Sequence, residues 1–419
     1  MRTRLTGGAL SLADAGTASV ATFVASLVAL RSLDDPELAL YALVFAALTA
    51  LMIAPQYMLY IPQRLHANRQ PQVRRTSYRA DARGAVPYAA VTAVGVFLAA
   101  LPLRGGLSDP SAYVAICATA AVLSALSPFQ DHMRASLHVA GRHGRAALVS
   151  AVNLGVVSVI FVAVEWGPQG PAWFAYAAPF GSLVLGNLVS IVAGYGLHRA
   201  VTVVEHRDPI LFRTSLLAAS TGFARQGVAY VANLLVAAMI SASALAALET
   251  ARVAAQPVLI LGIGVASFFM PEAVRAIGAG DRHRAGAIMR RLVAVVSGAG
   301  AVYALALIPL APLLALVLGR PVDAGLASAR AGSFALSSAA NPFNAYNMAE
   351  RRYGVALGLT AASEIPALVV LVALIPSLGV FAVPVSASVS AVLRIALNVI
   401  YRNRADRRAA AHTPAEAAA

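Results

Sequence analysis

Apolar segments of bilayer-spanning length follow one another almost without pause in this chain, and that succession dictates the fold class. A helix crossing the hydrocarbon core needs about 20 apolar residues and satisfies its own backbone polar groups there. The segments cover residues 7–30, 38–61, 84–103, 110–130, 146–166, 172–197, 214–240, 243–270, 290–318, 324–348, 354–376 and 379–401. The sequence therefore predicts an all-α, polytopic membrane protein of about twelve transmembrane helices. Composition agrees: of 419 residues, 59% are apolar and 12% charged, where soluble domains carry roughly a quarter charged.

The basic residues, all Arg, decide the topology. Linkers two, four, six, eight and ten and both termini hold 25 of the 32 Arg, and the opposite side holds four: Arg31, Arg104, Arg320 and Arg330. Arg225, Arg252 and Arg394 lie inside predicted helices. The asymmetry is the positive-inside pattern. It predicts both termini in the cytoplasm, an even helix count and location in the cytoplasmic membrane. It also accounts for the net charge of +14 without a nucleic-acid partner. Arg2 and Arg4 precede an apolar stretch too long for a signal peptide, which reads as an uncleaved first helix. The lone Cys117 reads as a small buried side chain, with no disulfide or metal set around it. The outer linkers are too short for an extramembrane domain. The tail after Tyr401 is basic, then Ala-rich, and is expected to be disordered.

The halves repeat. Helix four ends Ser127-Pro128-Phe129-Gln130 and helix ten ends Asn341-Pro342-Phe343-Asn344. A basic pair and a Gly follow each: Arg142-His143-Gly144 and Arg351-Arg352 with Gly354. Tyr60-Ile61-Pro62-Gln63 after helix two matches Phe269-Met270-Pro271-Glu272 after helix eight. Asp14 to Thr22 aligns with Arg225 to Asn233 at an offset of 211, which puts Asp14 opposite Arg225. Six helices per half give both halves the same orientation, hence parallel repeats. The expected organisation is a six-helix bundle over 1–205, a second over 206–401 and a tail over 402–419. The linker Leu197–Arg213, with Glu205-His206-Arg207-Asp208, joins the bundles.

This pattern resembles the multidrug/oligosaccharidyl-lipid/polysaccharide exporter superfamily, most closely its polysaccharide-flippase branch. The resemblance covers nearly the whole chain. It rests on the 6+6 layout, the acidic turn Leu33-Asp34-Asp35-Pro36-Glu37, the Pro ending helices two and eight, and the Pro-Phe then Arg-x-Gly pattern. It implies a flippase that moves a lipid-linked oligosaccharide or polysaccharide precursor to the outer leaflet, rocking two bundles around a cationic cavity. The implied partners are that lipid-linked glycan, anionic membrane lipids, a proton or sodium as coupling ion, and a glycan polymerase or glycosyltransferases. No cofactor is implied, and the chain is not expected to be an enzyme.

Ionisable side chains at membrane depth are costly and face a cavity or a partner. Arg225 sits about 11 residues into helix seven, roughly 16 Å deep. It reads as a contact for pyrophosphate or an acidic sugar, or else as an ion-pair partner of Asp14 or Glu364. Asp14 and Glu364 read as ion-coupling or gating groups. Gln226, Tyr230 and Asn233 extend a polar face along helix seven. Asn341, Asn344 and Asn347 form a stripe on helix ten, either sugar-binding or glue between helices. Glu249 and Arg252, three apart, are expected to pair with each other.

Three other classes share some of these features. A cation-coupled multidrug antiporter of the same superfamily fits Asp14 but not Arg225. A major-facilitator transporter would carry a Gly then Asp-Arg-x-Gly-Arg motif after helix two, and Gly280-Asp281-Arg282-His283-Arg284 matches it only in part and after helix eight. An integral-membrane glycosyltransferase needs a sizeable outer or inner loop with catalytic carboxylates, and the outer loops are too short to build one. A Walker A run is absent from the sequence.

Overall fold

The computed structural model describes residues 2–60, 78–139, 141–167, 170–195 and 209–411. Twelve long helices run through them: α1 Arg2–Ser32, α2 Asp35–Tyr60, α3 Tyr78–Ala100, α4 Pro110–Val139, α5 His143–Trp166, α6 Ala172–Tyr195, α7 Pro209–Met239, α8 Ala242–Gly278, α9 Arg282–Leu318, α10 Ala324–Ala349, α11 Tyr353–Leu378 and α12 Ala382–Ala411. Short 3-10 turns, Leu101–Gly106 and Gly379–Phe381, close α3 and open α12.

Packing is parallel in the two halves. In the first, α5 packs on α1 and α6, α4 on α3 and α6, and α2 on α3 and α4. In the second, α11 packs on α7 and α12, and α10 on α8, α9 and α12. The halves meet crosswise, α1 against α8 and α2 against α7 and α8. This surrounds the first half of α2: Leu38, Leu40, Tyr41 and Leu43 are all buried although they point in every direction. A helix apolar all round belongs in such a position. Small residues permit the closest approaches. A Cβ on Gly186 would strike Asn153, and one on Gly300 would strike Ala335.

Nine stretches of the described residues are long and apolar enough to cross a membrane, and one of them, Tyr353–Ala405, spans α11 and α12. The helices below that threshold are α7 and α10. They carry Arg225, Gln226 and Asn233, and Arg330, Asn341, Asn344 and Asn347.

Helix ends differ from the hydropathy limits. α4 runs nine residues past Gln130, and α9 begins at Arg282 instead of 290. Apolarity ends where the hydrocarbon ends, but Ala- and Arg-rich sequence propagates a helix beyond it. Arg134 and Arg282 thus belong to helices, and Arg330 lies inside α10. The same propensity extends α12 to Ala411, correcting the expectation of a disordered tail over 402–411. Residues 412–419, the linker residues 61–77 and the junction residues 196–208, including Glu205 and Asp208, lie outside the described residues.

Candidate functional site

Three polar clusters sit inside the helical body. The first is in the first half, toward the Arg-rich end. There Asp14 of α1 accepts from Arg134 Nε at 3.1 Å and Nη2 at 2.9 Å. It also accepts from the Ser150 hydroxyl at 2.5 Å and lies 2.8 Å from His138 Nε2. Arg134 reaches Asp131 as well, at 2.9 Å. Pro55 disturbs α2 here, and a π-helical turn, Gln56–Tyr60, follows it. Such turns re-aim side chains and recur at functional sites. This one sends Gln56 and Tyr60 into a cavity of about 270 Å³ shared with Asp14, Asp131, His132 and His138. The Tyr60 ring stacks on His132, with centroids 4.6 Å apart.

The second cluster is in the other half. Arg225 of α7 donates to Asn341 Oδ1 on α10 at 2.5 Å, and Arg394 of α12 donates to the same oxygen at 3.3 Å. Arg394 is ion-paired with Glu364 of α11 and bonded to Ser390 at 3.1 Å. Glu364 and Arg394 are both buried. Two guanidinium groups and one carboxylate leave this cluster one positive charge in excess.

The third cluster lies where the halves touch. Glu249 and Arg252 form the expected pair on α8, at 2.6 and 2.7 Å. Arg252 also reaches across to Ser26 of α1 at 3.0 Å and stacks over Phe45 of α2 at 4.7 Å.

The predicted residues therefore separate. Asp14 and Glu364 do not pair with Arg225; each carboxylate has its own arginine, Arg134 and Arg394. Of the Asn stripe, Asn341 joins Arg225. Asn344 bonds Thr360 of α11 at 3.2 Å, and the fully buried Asn347 bonds Asn398 of α12 at 2.8 Å, so these two act as helix glue in this conformation. Gln226, partly buried, makes no side-chain hydrogen bond among the described residues. Tyr230 and Asn233 cross to the other half, donating to Ala99 O at 2.9 Å and Ala42 O at 3.3 Å.

Those two bonds belong to a tie at the end away from the Arg-rich linkers. Arg31 donates to Val317 O at 2.7 Å and pairs with Glu165. Arg320 donates to Leu30 O at 2.7 Å, to Asp35 at 2.6 Å and to Leu33 O. Hydrogen bonds linking the two halves thus concentrate on one side. Sequence reasoning missed Arg134, His138, Ser150, Arg320 and Arg394. The one available signal was Arg394, an arginine alone in the last apolar segment.

No protein-family model matches the chain, and no curated protein matches it. Solved structures do. A MATE transporter in its straight conformation superposes with TM-score 0.66 over 97% of this chain and 96% of its own, at 11% identity. The fold is that of the MATE transporters. A Vibrio cholerae MATE transporter gives TM-score 0.65 at 14% identity, covering 97% and 99% of the two chains. An inward-facing multidrug resistance MATE family transporter of the MOP superfamily gives 0.65 at 12% identity, covering 94% and 96%. At such identities the shared property is the MATE fold alone.

Proposed function

We propose that the chain is an alternating-access exporter of the cytoplasmic membrane that moves an anionic, lipid-linked glycan precursor. The observation that carries this reading is the convergence of Arg225 and Arg394 on Asn341 Oδ1 with Glu364 as the single carboxylate of the cluster. A net-positive site at membrane depth needs an anion. A guanidinium fork suits the paired oxygens of a pyrophosphate. With the Arg-rich linkers placed in the cytoplasm, the tie through Arg31 and Arg320 shuts the outer side. Cargo then enters from the inner side, and breaking the tie releases it outward. Asp14 is the coupling group in this reading. A proton arriving there weakens its bonds to Arg134 and His138 and loosens α1 from α4 and α5.

Asp14 also favours a second reading, a cation-coupled multidrug antiporter, since an acidic residue on the first helix suits a cationic exchange partner. One experiment separates them. Proteoliposomes are assayed for flipping of a fluorescent polyprenyl-pyrophosphate sugar and for uptake of a cationic dye, each with and without a proton gradient. Flipping without dye uptake is expected, and dye uptake without flipping would assign the antiporter. Arg225→Ala is expected to cut flipping about 10- to 100-fold, the loss of a charge-assisted bond of about 1.5–3 kcal/mol, with normal insertion. Asp14→Asn is expected to keep cargo binding and lose the response to the gradient. Full flipping by Arg225→Ala would remove Arg225 from the cargo site.

A further inference from the structure

Two cavities lie one above the other on the flank of the second half, both lined chiefly by α9, α10 and α12, with Glu350 and Arg352 of the α10–α11 turn added to one of them. α9 and α12 each pack on α10 and leave a trough between them. Toward the Arg-rich end the trough holds about 560 Å³. Among the described residues its lining carries Arg282, Arg290, Arg352 and Arg402 and one carboxylate, Glu350. Glu350 sits 3.4 Å from Arg352 and so offsets one charge. Arg402 stacks over the Tyr346 ring, 3.3 Å from its centroid. This contact fixes the guanidinium plane at the mouth of the trough.

The second cavity continues the trough into the membrane and holds about 770 Å³. Its walls are small or apolar, with Ala301 on α9, Gly332 and Leu336 on α10, and Val389 and Val392 on α12. From Arg402 to Val389 is 13 helical residues, about 20 Å, which spans a headgroup and one leaflet. Val385 and Val392 in its lining are 37% and 52% exposed, so the trough opens sideways to lipid.

We infer that this trough is a resident site for one anionic bilayer phospholipid, with its phosphate on the four-arginine rim and an acyl chain along α10. Charge selects the headgroup: the rim is strongly positive, and a zwitterionic headgroup would bring its own cation into it. Shape selects a lipid over a soluble anion, because a free phosphate has no use for the apolar continuation. The export cargo is a poorer occupant, since neither α7 nor α8, the helices facing the other half, contributes a residue to either cavity. A basic pocket between helices on the cytoplasmic face is a recognised form of lipid site, and the positive-inside orientation puts this rim there.

Native mass spectrometry of the delipidated protein, titrated with phosphatidylglycerol or phosphatidylcholine, tests the site. One phosphatidylglycerol per chain is expected, bound at least about tenfold more tightly than phosphatidylcholine. Arg290→Ala with Arg402→Ala should erase that preference. Gly332→Phe should displace the lipid with the rim intact; a Cβ at Gly332 meets nothing within 4 Å and the position lines the trough, so the ring has room to enter it. Equal binding of the two lipids overturns the proposal. So does a Gly332→Phe variant that keeps phosphatidylglycerol, which would mean a soluble-anion site. Recovery of a lipid-linked glycan from the trough, or of a dimer that Gly332→Phe dissociates, overturns it in favour of cargo or a second copy.

Discussion

At the residue scale the interior is organised by which arginine each of the buried carboxylates Asp14, Glu249 and Glu364 holds. Glu364 holds Arg394, and both are buried. Removing one member of such a pair strands the other charge, which costs about 3–5 kcal/mol. Glu364→Gln is therefore expected to lower stability by about 3 kcal/mol, read as a fall in the thermal unfolding midpoint in detergent. Adding Arg394→Met should restore most of it, and an unchanged midpoint in the single variant would show that the pair is not stabilising. Spacing made Arg225 an equally good partner for Glu364, because both choices lie far along the chain. Only the packing of α12 against α10 and α11 brings Arg394 nearer. That Arg225, Asp14 and Glu364 lie within long helices was readable from sequence, and partner choice was not.

At the element scale the helices were legible from apolar length, and their ends were not. α4 and α10 end in the same turn. Arg142 N–H reaches Leu137 O at 2.8 Å and Gly141 N–H reaches His138 O at 3.0 Å; Arg352 N–H reaches Asn347 O at 2.8 Å and Arg351 N–H reaches Met348 O at 2.9 Å. The left-handed residue is Gly141 in one (φ 71°) and Arg351 in the other (φ 60°). An L-residue with a side chain pays about 1 kcal/mol or more for that conformation. Arg351→Gly is accordingly expected to stabilise the protein by about 0.5–1 kcal/mol, seen as a rise in unfolding midpoint. A fall would mean that the Arg351 side chain contributes more than the strain removes. The repeated turn strengthens the repeat seen in the Pro-Phe and Arg-x-Gly motifs. The π-helical turn in α2 was not legible, because Pro55 alone signals a kink without saying where Gln56 and Tyr60 will point.

At the scale of the whole molecule, the proposed alternating access requires that the contacts holding one side shut be weak enough to break. Arg320 makes its three contacts to the α1–α2 turn, one to a carboxylate and two to backbone carbonyls. Each is worth about 1 kcal/mol net, and more where charge assists. Their loss is therefore expected to move the balance between the two conformations by about 2–3 kcal/mol, enough to turn a minor open state into a populated one. Spin labels at Gly105→Cys and Pro321→Cys, both exposed and on different halves at that end, report the separation. The buried Cys117 is replaced by Ala in the labelled protein. The Arg320→Ala background should add a longer component to the distance distribution, and the proposed flipping should slow because the closed side no longer holds. An unaltered distribution would place the closing force elsewhere, in the apolar contacts of α2 with α7 and α8. In that case the halves separate by peeling a hydrophobic seam, and the Arg320 contacts only set its register.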